Sequence, residues 1–164
     1  MTTPQFTRNQ LFQNRAFTTL RRPGVALELG NDFDLFTIAG GPIMVTSIFG
    51  HVTTLIDGTA IPFLAHTPTG GALVPLCALA VDIDTDVANT LYTWDGLLGG
   101  VLTPSVQIGA ADIAATANWS GGMLLLVPGV ISIDDATGVA VTGGIIDWYI
   151  TYLALASTTT VVTA

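Results

Sequence analysis

From Pro23 onward the chain is written in short runs of Val, Ile, Thr and aromatic residues separated by Gly, Pro, Asn and Asp. That is the texture of β-strands divided by turns. The clearest alternation lies in Ile146-Asp-Trp-Tyr-Ile-Thr-Tyr-Leu153, where Ile146, Trp148, Ile150 and Tyr152 share one face and Asp147, Tyr149 and Thr151 the other. Ile131-Ser-Ile-Asp134 repeats the pattern on a smaller scale. Together the runs predict strands at 25–29, 35–39, 43–55, 61–66, 73–82, 90–94, 106–108, 123–127, 130–133 and 145–155. Stretches of helical period are nearly absent. The alanine-rich segment 108–119 admits a short helix or a loop, and the tail 157–164 a terminal strand or a disordered end.

Gly-Gly pairs at 40–41, 70–71, 99–100, 121–122 and 143–144 punctuate these runs and are expected in turns, where a positive φ is needed. Ten strands with short connections point to an all-β fold, an antiparallel β-sandwich or jelly-roll-like barrel. Residues 1–22 differ: Phe6, Leu11, Phe12, Phe17 and Leu20 are scattered among Gln and Asn without a sustained period. This reads as an extended N-terminal arm, 1–22, followed by one β domain, 23–164, with the arm ordering when laid against a partner.

Charge sharpens that division. Arg8, Arg15, Arg21 and Arg22 are the only four side chains that are positive with His neutral, lysine is absent, and all twelve acids lie beyond Arg22, so an arm of +4 precedes a body of −12. Charged residues make up 10% of the chain and apolar ones 50%, whereas ordinary soluble domains carry about 25% charged residues. So few charges cover a surface thinly, and a membrane or neighbouring subunits must account for the apolar excess. The longest apolar run, residues 72–81, contains Pro75 and falls far short of the ~20 residues a spanning helix requires. No apolar segment of the secretory type follows Met1, so the expected location is the cytoplasm where the chain is made, or a larger particle that leaves it.

Catalytic chemistry is sparse. His51 and His66 have no second His or Cys at ligand spacing and are expected to be structural. Cys77 sits in an apolar segment and reads as a small buried hydrophobe. No nucleophile elbow, phosphate-cradling loop or lysine is present, and the −12 body would repel nucleic acid. Asp82, Asp84 and Asp86 alternate as at the start of a Ca²⁺ loop, but Val87 and Thr93 stand where such a loop needs Gly and Glu. The turn is therefore either solvated or a cation site of another kind, with Ca²⁺ the candidate. Trp94 and Trp119 lie beside turns, where a glycan platform or a subunit interface would place them, while Trp148 belongs to the core face of its strand.

The order of several motifs carries a resemblance. Gly41-Pro-Ile-Met-Val-Thr-Ser-Ile-Phe-Gly-His-Val-Thr-Thr54, Thr67-Pro-Thr-Gly-Gly71, Leu76-Cys77, Asp82-Ile-Asp-Thr-Asp86 and Thr90-Leu-Tyr92 are followed by Leu126-Val-Pro-Gly-Val-Ile131, Ala136-Thr-Gly138 and Thr142-Gly-Gly-Ile-Ile-Asp-Trp-Tyr-Ile-Thr-Tyr152. Over residues 35–155 this resembles a family of small β-rich head-associated proteins of tailed bacteriophages. The chain departs from that family in having Asn89 where glycine is common, and in its long arginine-bearing arm. The resemblance implies a non-enzymatic capsid decoration, or cement, protein on the outer surface of the virion. Its partners would be the major capsid protein and further copies of itself, most simply as a homotrimer, with neither nucleic acid nor membrane involved. The arm would then make the inter-subunit contacts, through Arg8, Arg15, Arg21 and Arg22 as charge-assisted donors and Phe6, Phe12 and Phe17 as anchors. The competing expectation is a glycan- or receptor-binding module of a fibre or tail, using Trp94 and Trp119.

Overall fold

The structure, a computed structural model, describes residues 17–26, 33–80, 82–94, 98–105, 108–109, 124–136 and 143–164. Among these residues there are eleven strands and no helix: β1 (Thr18–Ala26), β2 (Phe33–Ala39), β3 (Ile43–Asp57), β4 (Pro62–Pro68), β5 (Val74–Pro75), β6 (Leu91–Thr93), β7 (Thr103–Pro104), β8 (Leu124–Leu126), β9 (Gly129–Asp135), β10 (Gly143–Ala154) and β11 (Thr160–Thr163). They form two open antiparallel sheets. Sheet A runs β1-β10-β3-β6-β7, with β8 also pairing β3, and sheet B runs β11-β2-β9-β4-β5. The fold is all-β and sandwich-like, and neither sheet closes into a barrel.

The apolar faces meet between the sheets. From sheet A come Ile48, Val52, Tyr92, Ile146, Trp148 and Ile150, all at most 1% exposed, and from sheet B Phe36, Ile38, Leu64, Ile131 and Ile133. Ile146, Trp148, Ile150 and Tyr152 share the inner face of β10, as the alternation predicts. The long β3 and β10 form the spine of sheet A, and Trp148 faces Gly50 across them. A side chain there would collide: a Cβ on Gly50 would lie 3.0 Å from Ile146 Cγ2 and 3.1 Å from the Trp148 ring. The missing side chain is therefore the space into which the indole packs.

Three expectations are corrected. Among its described residues the run 73–82 forms only the two-residue β5, because after Pro75 the chain bonds alternately to different segments: Leu76 N–H to Leu64 O (2.8 Å), Ala78 N–H to Gly100 O (2.8 Å) and Ala80 N–H to Pro62 O (3.0 Å). It crosses beside Val101, with which Ala78 makes an isolated parallel bridge, and does not lengthen a sheet. The pair Gly143-Gly144 lies within β10, where Gly144 (φ +125°) sits at a break in register against β3; the pairs at 40–41, 70–71 and 99–100 do lie at bends or turns. Of the strand expected at 106–108, residues 106 and 107 lie outside the described residues and Ile108 stands in a turn; the nearby pairing is the two-residue β7 at Thr103–Pro104. The Gly-Gly pair 121–122 and most of 108–119 lie outside the described residues, while the tail 157–164 resolves into a turn followed by β11.

The expected boundary between arm and body at Pro23 falls inside β1, which pairs with β10 from Thr18↔Tyr152 to Ala26↔Ile145, with one register shift between Arg22 and Val25. The last residues of the arm are thus an edge strand of this chain's own sheet.

Substituting Gly50 by Val should lower the free energy of unfolding by about 1–3 kcal/mol through overpacking against Trp148. Urea denaturation checks this, and an unchanged midpoint would show that the indole does not depend on that space.

Candidate functional site

The chemistry of the described residues concentrates where β1 joins β10. Opposed residues of an antiparallel pair share a face. Thr19 therefore lies with Thr151, Arg21 with Tyr149 and Phe49, and Asp147 with His51, all on the outer face of sheet A. Thr19 Oγ1 and Thr151 Oγ1 are 3.0 Å apart and hydrogen-bonded, and the Phe49 and Tyr149 rings stack at 4.6 Å between centroids, 6° from parallel. Arg21 reaches diagonally, donating from Nη2 to Asp147 Oδ2 at 2.6 Å, and the Gly24 N–H donates to Asp147 Oδ1 at 2.7 Å. Both carboxylate oxygens are thus engaged by β1. Asp147 is 4% exposed although it faces outward.

Burial alone would raise the pKa of Asp147, but the Gly24 N–H, the Arg21 guanidinium and the charge of His51 outweigh it and hold the carboxyl below its ordinary value. The hydrogen bond and charge of Asp147, with a smaller contribution from Tyr149, raise Arg21 in turn. The Arg21 side chain is 55% exposed, so solvent screens its share of the attraction. The sheltered Gly24 N–H makes the firmer bond.

Arg22 points the other way. It lies opposite Trp148 on the inner face, and its Nε is buried without a hydrogen-bond partner, as is Trp148 Nε1. The two arginines at the root of the arm are therefore committed to this chain's own sheet, Arg21 to an ion pair and Arg22 beside the core. Phe17 is 39% exposed at the start of β1. Arg8, Arg15, Phe6 and Phe12 lie outside the described residues.

The aspartate turn uses its acids for local structure. Asp82 Oδ1 accepts the N–H of Ala60 (3.2 Å) and of Asp84 (3.1 Å), Asp84 Oδ1 accepts the N–H of Gly58 (3.0 Å), and Asp86 Oδ2 accepts the hydroxyl of Tyr92. Burial and then Asp86 raise the Tyr92 phenol, which stays protonated. The three carboxylates diverge onto separate donors, and among the described residues no group of three or more His, Cys, Asp or Glu is placed to hold a metal ion. Asp82, Asp84 and Asp86 are not brought together as Ca²⁺ ligands.

Trp94 is 4% exposed within the core cluster. It presents no ring to a glycan, because the residue following β6 turns inward. Trp119 lies outside the described residues. Cys77 is buried, its Sγ accepting the Leu64 N–H at 3.0 Å. Asn89 adopts φ +72°, the left-handed conformation that glycine takes most easily and Asn next, and its Oδ1 lies 3.3 Å from His51 Nε2. His66 is 5% exposed, with Nε2 lacking any partner. Its burial lowers the imidazole pKa, opposed by a hydrogen bond with the Val127 backbone.

Sequence reasoning placed Asp147 on the face away from the core without giving it a role. Its signal was present: it is the only charged residue after Asp135. No family model matches the chain, no curated protein matches its sequence, and no solved structure matches it.

Two pH effects follow from the opposite chemistries of these groups. The depressed pKa of folded His66 means that the unfolded chain binds the proton more readily, so stability is full above the unfolded value of about 6.5 and declines as pH falls below it. Asp147 has its own window: its contribution is full above the ordinary carboxylate range and is lost as pH falls through its depressed folded value. In urea midpoints measured against pH, His66→Gln should flatten the first decline and Asp147→Asn the second; a wild-type slope surviving either substitution contradicts the corresponding assignment. At neutral pH Asp147→Ala should cost about 2 kcal/mol, mainly through the stranded Gly24 N–H and the lost charged acceptor.

Proposed function

We propose that this chain is a non-enzymatic decoration, or cement, protein of a tailed bacteriophage capsid. It sits on the outer surface of the head, associates with its own copies, most simply as a homotrimer, and bridges subunits of the major capsid protein. The single observation that carries the reading is the split of charge: every arginine lies in the first 22 positions, lysine is absent, and every acid lies after them. A basic segment ahead of an acidic, charge-poor β body suits contact with acidic protein surfaces, and the −12 body repels nucleic acid.

The anchoring of the arm supports this use. A segment that clamps a neighbour transmits restraint only if its root is held, and Asp147 holds that root through Arg21 and Gly24. The charges left for a neighbour are then Arg8 and Arg15, with Phe6 and Phe12 as anchors and Phe17 at the junction. Apolar side chains at the crossing segment and its neighbour, Leu79 (51% exposed), Leu98 (67%) and Val101 (44%), add surface of the kind that association covers. A clamp repeated at every capsid site opposes opening by many small contributions acting together.

The test is a truncation placed by the structure. Removing residues 1–16 spares β1 and the Asp147 pair, whereas a cut after Arg22 would strip half of β1. In cosedimentation with expanded heads, the truncated chain should bind at least tenfold more weakly than the full chain while unfolding at the same temperature. Undiminished binding would overturn the role given to the arm.

A further inference from the structure

A sheet edge offers unpaired N–H and C=O groups to any passing strand, and natural proteins blunt their edges with prolines, charges, bulges or brevity. In this chain, four of the five edge strands among the described residues carry such a device. β1 contains Pro23, a register shift and the inward-pointing Arg22. β5 and β7 are two residues long and include Pro75 and Pro104, and β8 is three residues long. The fifth, β11, is four residues long and has no device beyond that: Thr160-Val-Val-Thr163 contains no proline or charge, pairs with β2 without a register shift, and lies in a stretch from Trp148 to Ala164 that carries no charged side chain.

The direction of its free groups follows from one hydrogen bond. The Ala164 N–H bonds to Leu35 O at 3.2 Å, and successive residues of a strand turn their backbone groups to opposite sides. Thr160 and Val162 therefore bond toward β2, and Val161 and Thr163 direct N–H and C=O away from the sheet. Val162 is 54% exposed on the outer face.

We propose that β11 is a homotypic docking edge at which a second copy of this chain adds its own β11, antiparallel, across a two-fold axis. With Val162 opposite the partner's Val162, Val161 exchanges both hydrogen bonds with the partner's Thr163, and Thr163 with the partner's Val161. This register uses all the outward groups of both strands. It also brings the two exposed valines together as a closely spaced non-hydrogen-bonded pair, about 4.5 Å between Cα atoms. The occupant is a second copy because this edge is its own complement: apolar meets apolar, and no charged side chain of the strand opposes the approach. Four residues cover far less than the roughly 1,200 Å² of a stable interface. The association is therefore weak in free solution and strengthens where copies are held close together. It is independent of the capsid reading and, being two-fold, joins assemblies in pairs and does not close a ring of three.

Sedimentation velocity of the full chain from micromolar to millimolar concentration tests it with two variants. Thr163→Pro removes an outward N–H while leaving the bonds to β2, and Val162→Lys puts charge at the seam on an exposed side chain. The wild type should double in mass as concentration rises, with amide exchange at Val161 and Thr163 slowing in step. Both variants should keep the starting mass and the wild-type unfolding temperature. Should Thr163→Pro misfold, Val162→Lys decides. Doubling that persists in a folded variant, a wild type that never doubles, or amides protected at every concentration by the chain's own residues would each overturn the proposal.

Discussion

A carboxylate that is 4% exposed has to be answered by hydrogen bonds, and at Asp147 the answers come from β1. Without β1, sheet A would end at β10 with that carboxylate beside an unpaired strand edge. With it, one oxygen takes the Gly24 N–H, the other takes Arg21, and the backbone of β10 is covered from Tyr152 to Ile145. The interaction ties residues more than a hundred positions apart and converts a stretch with little apolar surface of its own into part of the sandwich. Leu20 of β1 packs against the core, and the bonds that Arg21 and Gly24 make to Asp147 add to that hold.

The remainder of the body follows ordinary β logic. Alternation specified β10, β-branched runs specified β2, β3, β4 and β9, and turn residues marked most of the joints, so those elements were readable within a residue or two. β1 was not. Arg-Arg-Pro-Gly at its centre reads as a break, and its strand character comes from the partner that β10 supplies. The run 73–82 failed in the opposite sense: its apolar side chains serve the core, but Pro75 and the changing hydrogen-bond partners prevent a ladder. Trp94 illustrates a related ambiguity, since a tryptophan beside a turn can face solvent or core and only the register of β6 against β3 decides. In the candidate site, the sequence supplied the charges and their segregation, but it could not supply the Arg21 to Asp147 pairing, which depends on long-range register. The aspartate turn looked like the start of a metal loop because alternate acids share a face in a strand. Its backbone is a turn, and each acid found a different donor.

Charge segregation and edge protection then describe one economy of surface. With few charges to place, the chain spends its arginines at the N-terminal end, leaves most edges to proline and shortness, and leaves β11 bare. A body of this kind is suited to being surrounded by other protein. The decoration role proposed above would use such a body through what it touches.

The most direct measurement is the number of copies in purified phage heads, determined by intact-protein quantification, since no Lys or Arg follows Arg22 to give tryptic fragments of the body. The account predicts a fixed stoichiometric ratio to the major capsid protein on every head. A handful of copies per particle, or none, would contradict it.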